Sequence, residues 1–125
     1  MSSPITWFEI PTTDLERATT FYETVLTTTL RRSYPNMRVF DYTLGFPSGC
    51  LVDRAATAMK PSRDGSLVYF DVTAKDGKLD AALNRALESG GTLIVPKTDI
   101  GEHGFIAVIS DPDGNAIGLH ENPPS

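Results

Sequence analysis

The sequence contains a single cysteine, Cys50, so the chain cannot form an internal disulfide. Cys50 lies between Gly49 and Leu51. A small thiol in such a setting is expected to fill space in a core rather than to act as a nucleophile. Any chemistry is therefore expected elsewhere in the chain.

Basic residues are also few. Eleven Lys and Arg face 16 Asp and Glu, which gives a formal net charge of −5 and a pI near 4.8. The basic residues do not gather into a run, and Arg31 and Arg32 are the one close pair. This balance argues against nucleic-acid binding.

Long hydrophobic runs are missing as well. No stretch approaches the roughly 18 apolar residues that span a bilayer. The start, MSSPITWFEI, has no basic region followed by an apolar run and a small-residue cleavage site. We expect a cytoplasmic protein with no membrane partner.

The remaining composition, with 40% apolar and 22% charged residues, is that of one ordinary globular domain over residues 1–125. Residues 5–10 (ITWFEI) alternate as a strand does, and a helix follows, because Thr13 and Glu16 have the spacing of a capping box. One face of this helix is apolar. It carries Leu15, Ala18, Tyr22 and Val25.

A second strand and helix follow later in the chain. Residues 67–75 (LVYFDVTAK) are strand-like, and the next segment is predicted to be a helix that opens at Asp76 and stops at Gly90 and Gly91. Its apolar residues recur at helical spacing. They are Leu79, Ala82, Leu83, Ala86 and Leu87.

These two units are related by an internal repeat. FEIPTTD at residues 8–14 precedes FDVTAKD at residues 70–76 by 62 positions, with aromatic, acidic, branched and closing Asp residues in the same order. Strand candidates follow each helix. They are RVFDYTLGF (38–46) and CLVDR (50–54), then TLIVPKT (92–98), GFIAVIS (104–110) and AIGLHE (116–121). The chain is therefore predicted to be an α+β protein of two βαβββ modules, about residues 4–55 and 66–121, whose curved mixed sheets surround a concave cavity.

Two motifs add specificity to this pattern. DLERATTFYETVL (14–26) follows the first strand, and DPDGNAIGLHE (111–121) combines a hairpin turn with the last strand. Together with the repeat, they resemble the vicinal oxygen chelate superfamily, which includes glyoxalase I, extradiol dioxygenases, fosfomycin-resistance enzymes and bleomycin-resistance proteins. The resemblance covers residues 5–121. Residues 96–121 are most similar to small single-domain members that are described only as glyoxalase-like.

The resemblance implies a divalent metal held by His or carboxylate ligands from several strands. The ligand positions that it implies fall on Trp7, Leu67 and Gly118, and a fourth falls among residues 49–53. An indole, an isobutyl group and a hydrogen atom cannot coordinate a metal. We therefore expect no cofactor at this site and no carry-over of the isomerase activity, although a divalent metal at a relocated site is kept as an alternative.

Strand alternation selects the side chains that face the cavity. Glu9 and Asp71 occupy equivalent positions in the two modules, and both are expected to lie near His120. These three are the candidates for acid/base catalysis or for a displaced metal site. Hydrogen bonds among them, or to loop backbone, are the alternative explanation. The residues predicted to bind a ligand are Trp7, Glu9, Phe46, Tyr69, Asp71, His103, Gly118 and His120.

His103 lies in a loop between Gly101 and Gly104, where it either caps the cavity or holds the loop. The leading hypothesis is a protein that binds a small molecule without a metal, as the bleomycin-resistance type does, and the resemblance implies a homodimer. The alternatives are a lyase, isomerase or dioxygenase with a metal at Glu9, Asp71 and His120, and an accessory subunit with a degenerate pocket. The sequence leaves open whether the protein is an enzyme.

Overall fold

Two βαβββ modules follow one another along the chain, as the repeat predicted. In the computed structural model, which describes residues 4–40 and 47–124, the first module consists of β1 (Trp7–Thr12), α1 (Leu15–Leu26), β2 (Arg31–Tyr34), β3 (Met37–Val39) and β4 (Ser48–Asp53). The second consists of β5 (Tyr69–Asp71), α2 (Lys78–Glu88), β6 (Thr92–Asp99), β7 (Phe105–Ser110) and β8 (Ala116–Glu121). Short 3₁₀ turns occur at Arg54–Ala56 and Gly101–His103.

Each module forms its own four-stranded mixed sheet. The strand orders are β1-β4-β3-β2 and β5-β8-β7-β6, so the two sheets have the same topology. In each sheet the first strand pairs in parallel with the last, and the other pairs are antiparallel. This arrangement confirms the predicted α+β fold. The sheets do not close, and β1 and β5 each lie at an edge.

The N-cap of the first helix lies one residue later than predicted. Asp14 is the N-cap, and its Oδ1 accepts a hydrogen bond from the backbone N–H of Arg17 at 3.1 Å. Thr13 does not cap the helix, because its hydroxyl and backbone N–H both donate to Asp113. The predicted capping box of Thr13 and Glu16 was therefore wrong, although the helix itself was not.

The second helix begins after Gly77 rather than at Asp76. Glu121, at the end of β8, accepts a hydrogen bond from the backbone N–H of Leu79 at 3.1 Å and so satisfies one of the free donors of the first turn. Leu79 is fully buried, whereas Leu87, expected on the same apolar face, is 41% exposed.

The helix-facing sides of both sheets share one hydrophobic core. Phe8 of β1 and Phe70 of β5 place their ring centroids 5.6 Å apart, and α1 contacts α2. Tyr22 of α1 lies between the modules, with ring centroids 5.7 Å from Phe40 and 5.9 Å from Phe70. Because side chains alternate along a strand, the opposite face of each sheet points away from this core. We call these surfaces the first open face and the second open face.

The turn before β8 joins the two modules through Asp111. This carboxylate is buried and accepts hydrogen bonds from the Tyr22 hydroxyl at 2.6 Å, from the side chain and backbone of Asn115, and from the backbone N–H of Asp113. Burial raises the pKa of Asp111, and the hydrogen bonds from Tyr22 and Asn115 act in the opposite direction. Burial, followed by the charge of Asp111, raises the pKa of Tyr22 well above 10.0.

Asp113, in the same turn, binds the start of α1. Its carboxylate accepts from the hydroxyl of Thr12 at 2.5 Å, from the hydroxyl and N–H of Thr13 at 2.7 and 2.9 Å, and from Arg17 Nη2 at 2.9 Å. Burial raises the pKa of Asp113, but these hydrogen bonds and the Arg17 charge outweigh it and leave the pKa below 3.8. The DPDGN turn therefore has a structural function that its sequence did not reveal.

None of the helices described within residues 4–40 and 47–124 has the length and apolarity needed to cross a membrane.

Candidate functional site

The first open face is formed by alternate residues of the strands of the first sheet. Phe8 and Ile10 of β1 point into the core, so Trp7 and Glu9 point outward. Next to them, a small apolar cluster separate from the main core covers the middle of the sheet. It consists of Met37, Val39, Cys50 and Val52.

A cavity of about 510 Å³ lies on this face, within the usual range for small-molecule sites. Trp7 and Tyr34 line it and are 44% and 58% exposed. Glu9 is the one charged side chain among the described residues that line it. Trp7 Nε1 donates a hydrogen bond to Glu9 Oε2 at 3.3 Å, and this bond orients the indole beside the carboxylate.

Cys50 lies beneath this face and opposite Glu9 in the pairing of β4 with β1. Its side chain is fully buried. Burial, followed by the negative charge of Glu9, raises the pKa of the thiol to about 11. A thiol with this pKa is protonated at neutral pH and is a weak nucleophile, which fits the expected role as core filler.

On the second open face, the ring of Tyr69 lies directly over Gly118, its partner in the pairing of β5 with β8. A Cβ atom at position 118 would lie 2.1 Å from Tyr69 Cδ1 and 2.7 Å from Cγ, far inside van der Waals contact. Glycine is therefore required at 118 as long as Tyr69 keeps this position. Tyr69 remains 45% exposed, so its outer surface is open to solvent.

Asp71 and His120 are neighbours on the same face, because their Cα atoms pair across β5 and β8. Asp71 accepts hydrogen bonds from the backbone N–H of Thr73 at 2.9 Å and from Asn122 Nδ2 at 3.4 Å. His120 Nε2 lies 2.7 Å from the backbone carbonyl oxygen of His103. That oxygen can only accept, so Nε2 carries the hydrogen. Both side chains thus have local structural partners.

The loop of His103 supports β8 through its backbone. The His103 side chain is 75% exposed, with Nε2 3.7 Å from Glu102 Oε1. Gly104 follows with φ of 95°, and a Cβ there would lie 2.1 Å from the carbonyl oxygen of Glu121. The glycine is needed for this close approach, and the loop geometry accounts for the glycine at 104 and for the His103 carbonyl contact.

The structure separates the predicted site residues into two groups. Trp7 and Glu9 line the cavity on the first open face, whereas Tyr69 and Asp71 line a second cavity of about 670 Å³ together with Leu67. Within residues 4–40 and 47–124, no three His, Cys, Asp or Glu residues are close enough to hold a metal ion. Phe46, also predicted to bind ligand, lies outside the described residues.

Comparison with known proteins identifies the family of this chain. The model of the Glyoxalase/Bleomycin resistance protein/Dioxygenase superfamily matches residues 5–119. The chain belongs to this superfamily. The resemblance inferred from the repeat and the DPDGN motif is thereby confirmed.

Three relatives illustrate the range of the superfamily. A Mycobacterium tuberculosis protein provisionally named the glyoxylase CFP32 is 26% identical over 117 residues, which cover 90% of this chain and 43% of that protein. The chain thus spans less than half the length of this curated relative. A Burkholderia phytofirmans PsJN enzyme of the superfamily is 23% identical with a TM-score of 0.76, covering 97% of this chain and 100% of that one. TnmS3, an antibiotic binding protein from Streptomyces sp. CB03234, is 28% identical with a TM-score of 0.63, and 97% of each chain is covered.

The metal that the superfamily implies does not fit the residues present. The positions inferred for its ligands carry Trp7, Leu67 and Gly118, none of which has a donor atom for a divalent ion. At Gly118 the mismatch is steric as well as chemical, because the Tyr69 ring occupies the space that a ligand side chain would need. No step of a reaction is therefore routed through a metal here.

Strand register refines these positions. Trp7 pairs with Ser48 in the first sheet, and Tyr69 pairs with Gly118 in the second. Because the two sheets have the same topology, Trp7 is equivalent to Tyr69, and Ser48 is equivalent to Gly118. By this equivalence the fourth position is Ser48, one residue before the expected range 49–53, and Tyr69 rather than Leu67 corresponds to Trp7. The Ser48 hydroxyl is buried and already donates to a backbone carbonyl at 3.0 Å. None of the four equivalent positions, which carry Trp7, Ser48, Tyr69 and Gly118, has a His or a carboxylate side chain.

Several residues of the first open face were not found from the sequence. Tyr34, Met37, Val39 and Val52 line the cavity but belong to β2, β3 and β4. The alternation of Val39 with Phe40 could have placed Val39 on this face. Tyr34 gave no such signal, because β2 is short and its pairing with β3 is irregular.

Proposed function

We propose that this protein binds a small organic molecule on its first open face, without the divalent metal of the superfamily, and that it does so as a homodimer. The observation that carries the proposal is the 510 Å³ cavity, where Trp7 and Tyr34 expose aromatic surface beside Glu9. Exposed aromatic side chains in a concave site offer stacking surface at little cost in conformational entropy.

The chemistry of the ligand positions supports binding without a metal. Trp7 adds apolar surface where the superfamily pattern has a metal ligand, and Tyr69 fills the space above Gly118. TnmS3, which is 28% identical over nearly the whole chain, is an antibiotic binding protein. We extend from it only the idea of ligand binding.

Exposed apolar residues on the edge strands β1 and β5 support a homodimer. Trp7 of β1 is 44% exposed, while Leu67 and Tyr69, on or before β5, are 37% and 45% exposed. Edge strands with apolar side chains favour association with another chain. A second copy that set its second open face against the first would bring its Asp71 towards Glu9 and complete the cavity.

The test begins with protein purified without chelator. Mass spectrometry gives its metal content, and thermal unfolding is followed with Zn²⁺, Ni²⁺, Mn²⁺ and anaerobic Fe²⁺, and with a panel of small-molecule antibiotics and metabolites. We expect substoichiometric metal, no stabilisation by metals, and stabilisation by at least one organic compound. A ligand at about 100 times its Kd stabilises the folded state by about 2.7 kcal/mol.

Variants assign any stabilisation to the cavity. Trp7→Ala and Tyr34→Ala should abolish it, whereas Leu93→Ala, which truncates a 46% exposed residue on β6, should leave it intact. Light scattering should give about twice the chain mass of 13.6 kDa. Stoichiometric metal that is lost in His120→Ala would overturn the proposal in favour of a relocated metal site, and a monomer at micromolar concentration would overturn the dimer.

A further inference from the structure

We infer that the ligand of the first open face is a flat aromatic cation. This inference rests on the proposed function and deepens it, because it assigns a charge and a shape to the bound molecule. Three features of the cavity carry it: the charge of Glu9, a lining that includes no Lys or Arg among the described residues, and the aromatic surface around the carboxylate.

Glu9 has no basic partner among the described residues that line the cavity, and Arg31, which pairs with Val39 on the same sheet, lies outside that lining. Trp7 Nε1 donates to Oε2, and Oε1 accepts no hydrogen bond from the described part of the chain. No lysine or arginine lines the cavity within residues 4–40 and 47–124. The whole chain carries a net charge of −5. A cationic ligand would supply the missing counter-charge, whereas an anion would meet repulsion without any basic partner.

The surroundings of Glu9 favour a planar ligand over a simple inorganic ion. Trp7 and Tyr34 offer ring surface, and Met37 contributes a polarisable thioether. A cation over the face of Trp or Tyr is attracted by the ring quadrupole, and indole is the strongest of these partners. The indole also donates its N–H to the carboxylate, so the ring and the negative charge are held together before any ligand arrives.

The second open face repeats this pairing of ring and acid. Tyr69 and Asp71 stand 62 residues after Trp7 and Glu9, with Phe70 in the place of Phe8 between them. Tyr69 is 45% exposed above Gly118. A dimer that apposed the two open faces would therefore surround the ligand with aromatic rings and add a second carboxylate, which again selects for positive charge.

The experiment compares three probes of nearly equal size and shape but different charge. They are 1-methylquinolinium, a cation; quinoline, which is neutral at mildly alkaline pH; and quinoline-2-carboxylate, an anion. Isothermal titration gives their dissociation constants, and saturation-transfer NMR gives an independent measure of contact. The full-length protein is used throughout. We expect the cation to bind roughly three- to tenfold more tightly than quinoline, the range given by a partly exposed cation–π contact with an ion pair.

Variants separate the charge from the shape. Glu9→Gln keeps an oxygen that can accept from Trp7 and should remove the preference for the cation, so that 1-methylquinolinium and quinoline bind equally. Glu88→Gln, at the exposed end of α2, makes the same change in net charge and should keep the preference. Trp7→Leu should weaken all three probes.

The outcomes distinguish a failure of this inference from a failure of the proposed small-molecule binding. Equal binding of the three probes, undiminished cation preference in Glu9→Gln, or failure of all three to bind at millimolar concentration would overturn the inference. A neutral or anionic compound from the thermal panel that binds through Trp7 would also overturn it and leave the binding function in place. If no compound of the panel stabilises the protein, the proposed function itself fails.

Discussion

The contact between Tyr69 and Gly118 predicts that one substitution will have opposite effects in two backgrounds. In the wild-type protein, Gly118→Ala places a methyl group 2.1 Å from Tyr69 Cδ1. Ordinary contact begins about 1.3 Å further out, near 3.4 Å, so a small adjustment cannot relieve the overlap. The Tyr69 side chain must leave its position.

The magnitude follows from the surface that the ring buries. Tyr69 is 45% exposed, so it buries a little over half of its surface, roughly 100 Å² for a tyrosine. Loss of half to all of this contact costs about 1–2.5 kcal/mol at about 25 cal/mol per Å². Replacement of glycine by alanine within a strand stabilises the folded state by about 0.5–1 kcal/mol, because alanine loses less backbone entropy on folding. Gly118→Ala should therefore destabilise the wild-type protein by up to about 2 kcal/mol.

In the Tyr69→Ala background the overlap is absent and only the entropy term remains. There Gly118→Ala should stabilise the protein by about 0.5–1 kcal/mol. The assay is urea unfolding followed by circular dichroism at one fixed protein concentration, with the four proteins of the double-mutant cycle compared by midpoint and slope. If Gly118→Ala had the same sign and size in both backgrounds, the ring would not occupy this space, and the steric argument against a side chain at 118 would fail.

Three further predictions concern the buried polar groups. Tyr22→Phe should cost about 1–2 kcal/mol, because Asp111 loses a donor. The pKa of Tyr22 is raised in the folded state, so the hydroxyl contributes fully to stability below about pH 10 and less above it. The urea midpoints of the wild-type protein and the variant should therefore converge in alkali. Asp113→Asn should lose the ion pair with Arg17. The lowered pKa of Asp113 means that its contribution is present above pH 3.8 and declines as the pH falls through the lower folded-state value, so wild type and variant should converge in acid. Cys50 should react with a thiol reagent only after unfolding in guanidinium, because burial raises its pKa to about 11, and rapid reaction of the native protein would contradict its placement.

The fold could be predicted from the sequence because its signals are local and are repeated. Strand alternation, two helical apolar faces and the 62-residue repeat each point to the same module, and the module occurs twice. The residues at which the helices begin were harder to predict from the sequence. The donor of the first turn of α2 is satisfied by Glu121, which lies 42 residues away in the sequence from Leu79. No local pattern around Asp76 contains that information.

The sequence predicted which residues of the candidate site share a face of one strand, but not which faces of the two sheets meet. Alternation correctly indicates that Trp7 and Glu9 lie on one face of β1, but it says nothing about which face of another sheet stands opposite. The two helices and the shared core separate the open faces, so Glu9 does not join Asp71 and His120 in a metal cluster within the described residues. Which faces meet is decided by packing between modules, and that information is spread over the whole core.

The hydrogen bonds of the DPDGN turn also constrain the order in which the chain can acquire its structure. Asp113 binds Thr12, Thr13 and Arg17 across 96 to 101 residues of sequence. The start of α1 therefore gains this acceptor only when the turn of the second module is in place. The first module by itself lacks the carboxylate, so these hydrogen bonds couple the stability of one half of the repeat to the other. A substitution at Asp113 should for this reason be felt at the opposite end of the sequence, in the first turn of α1.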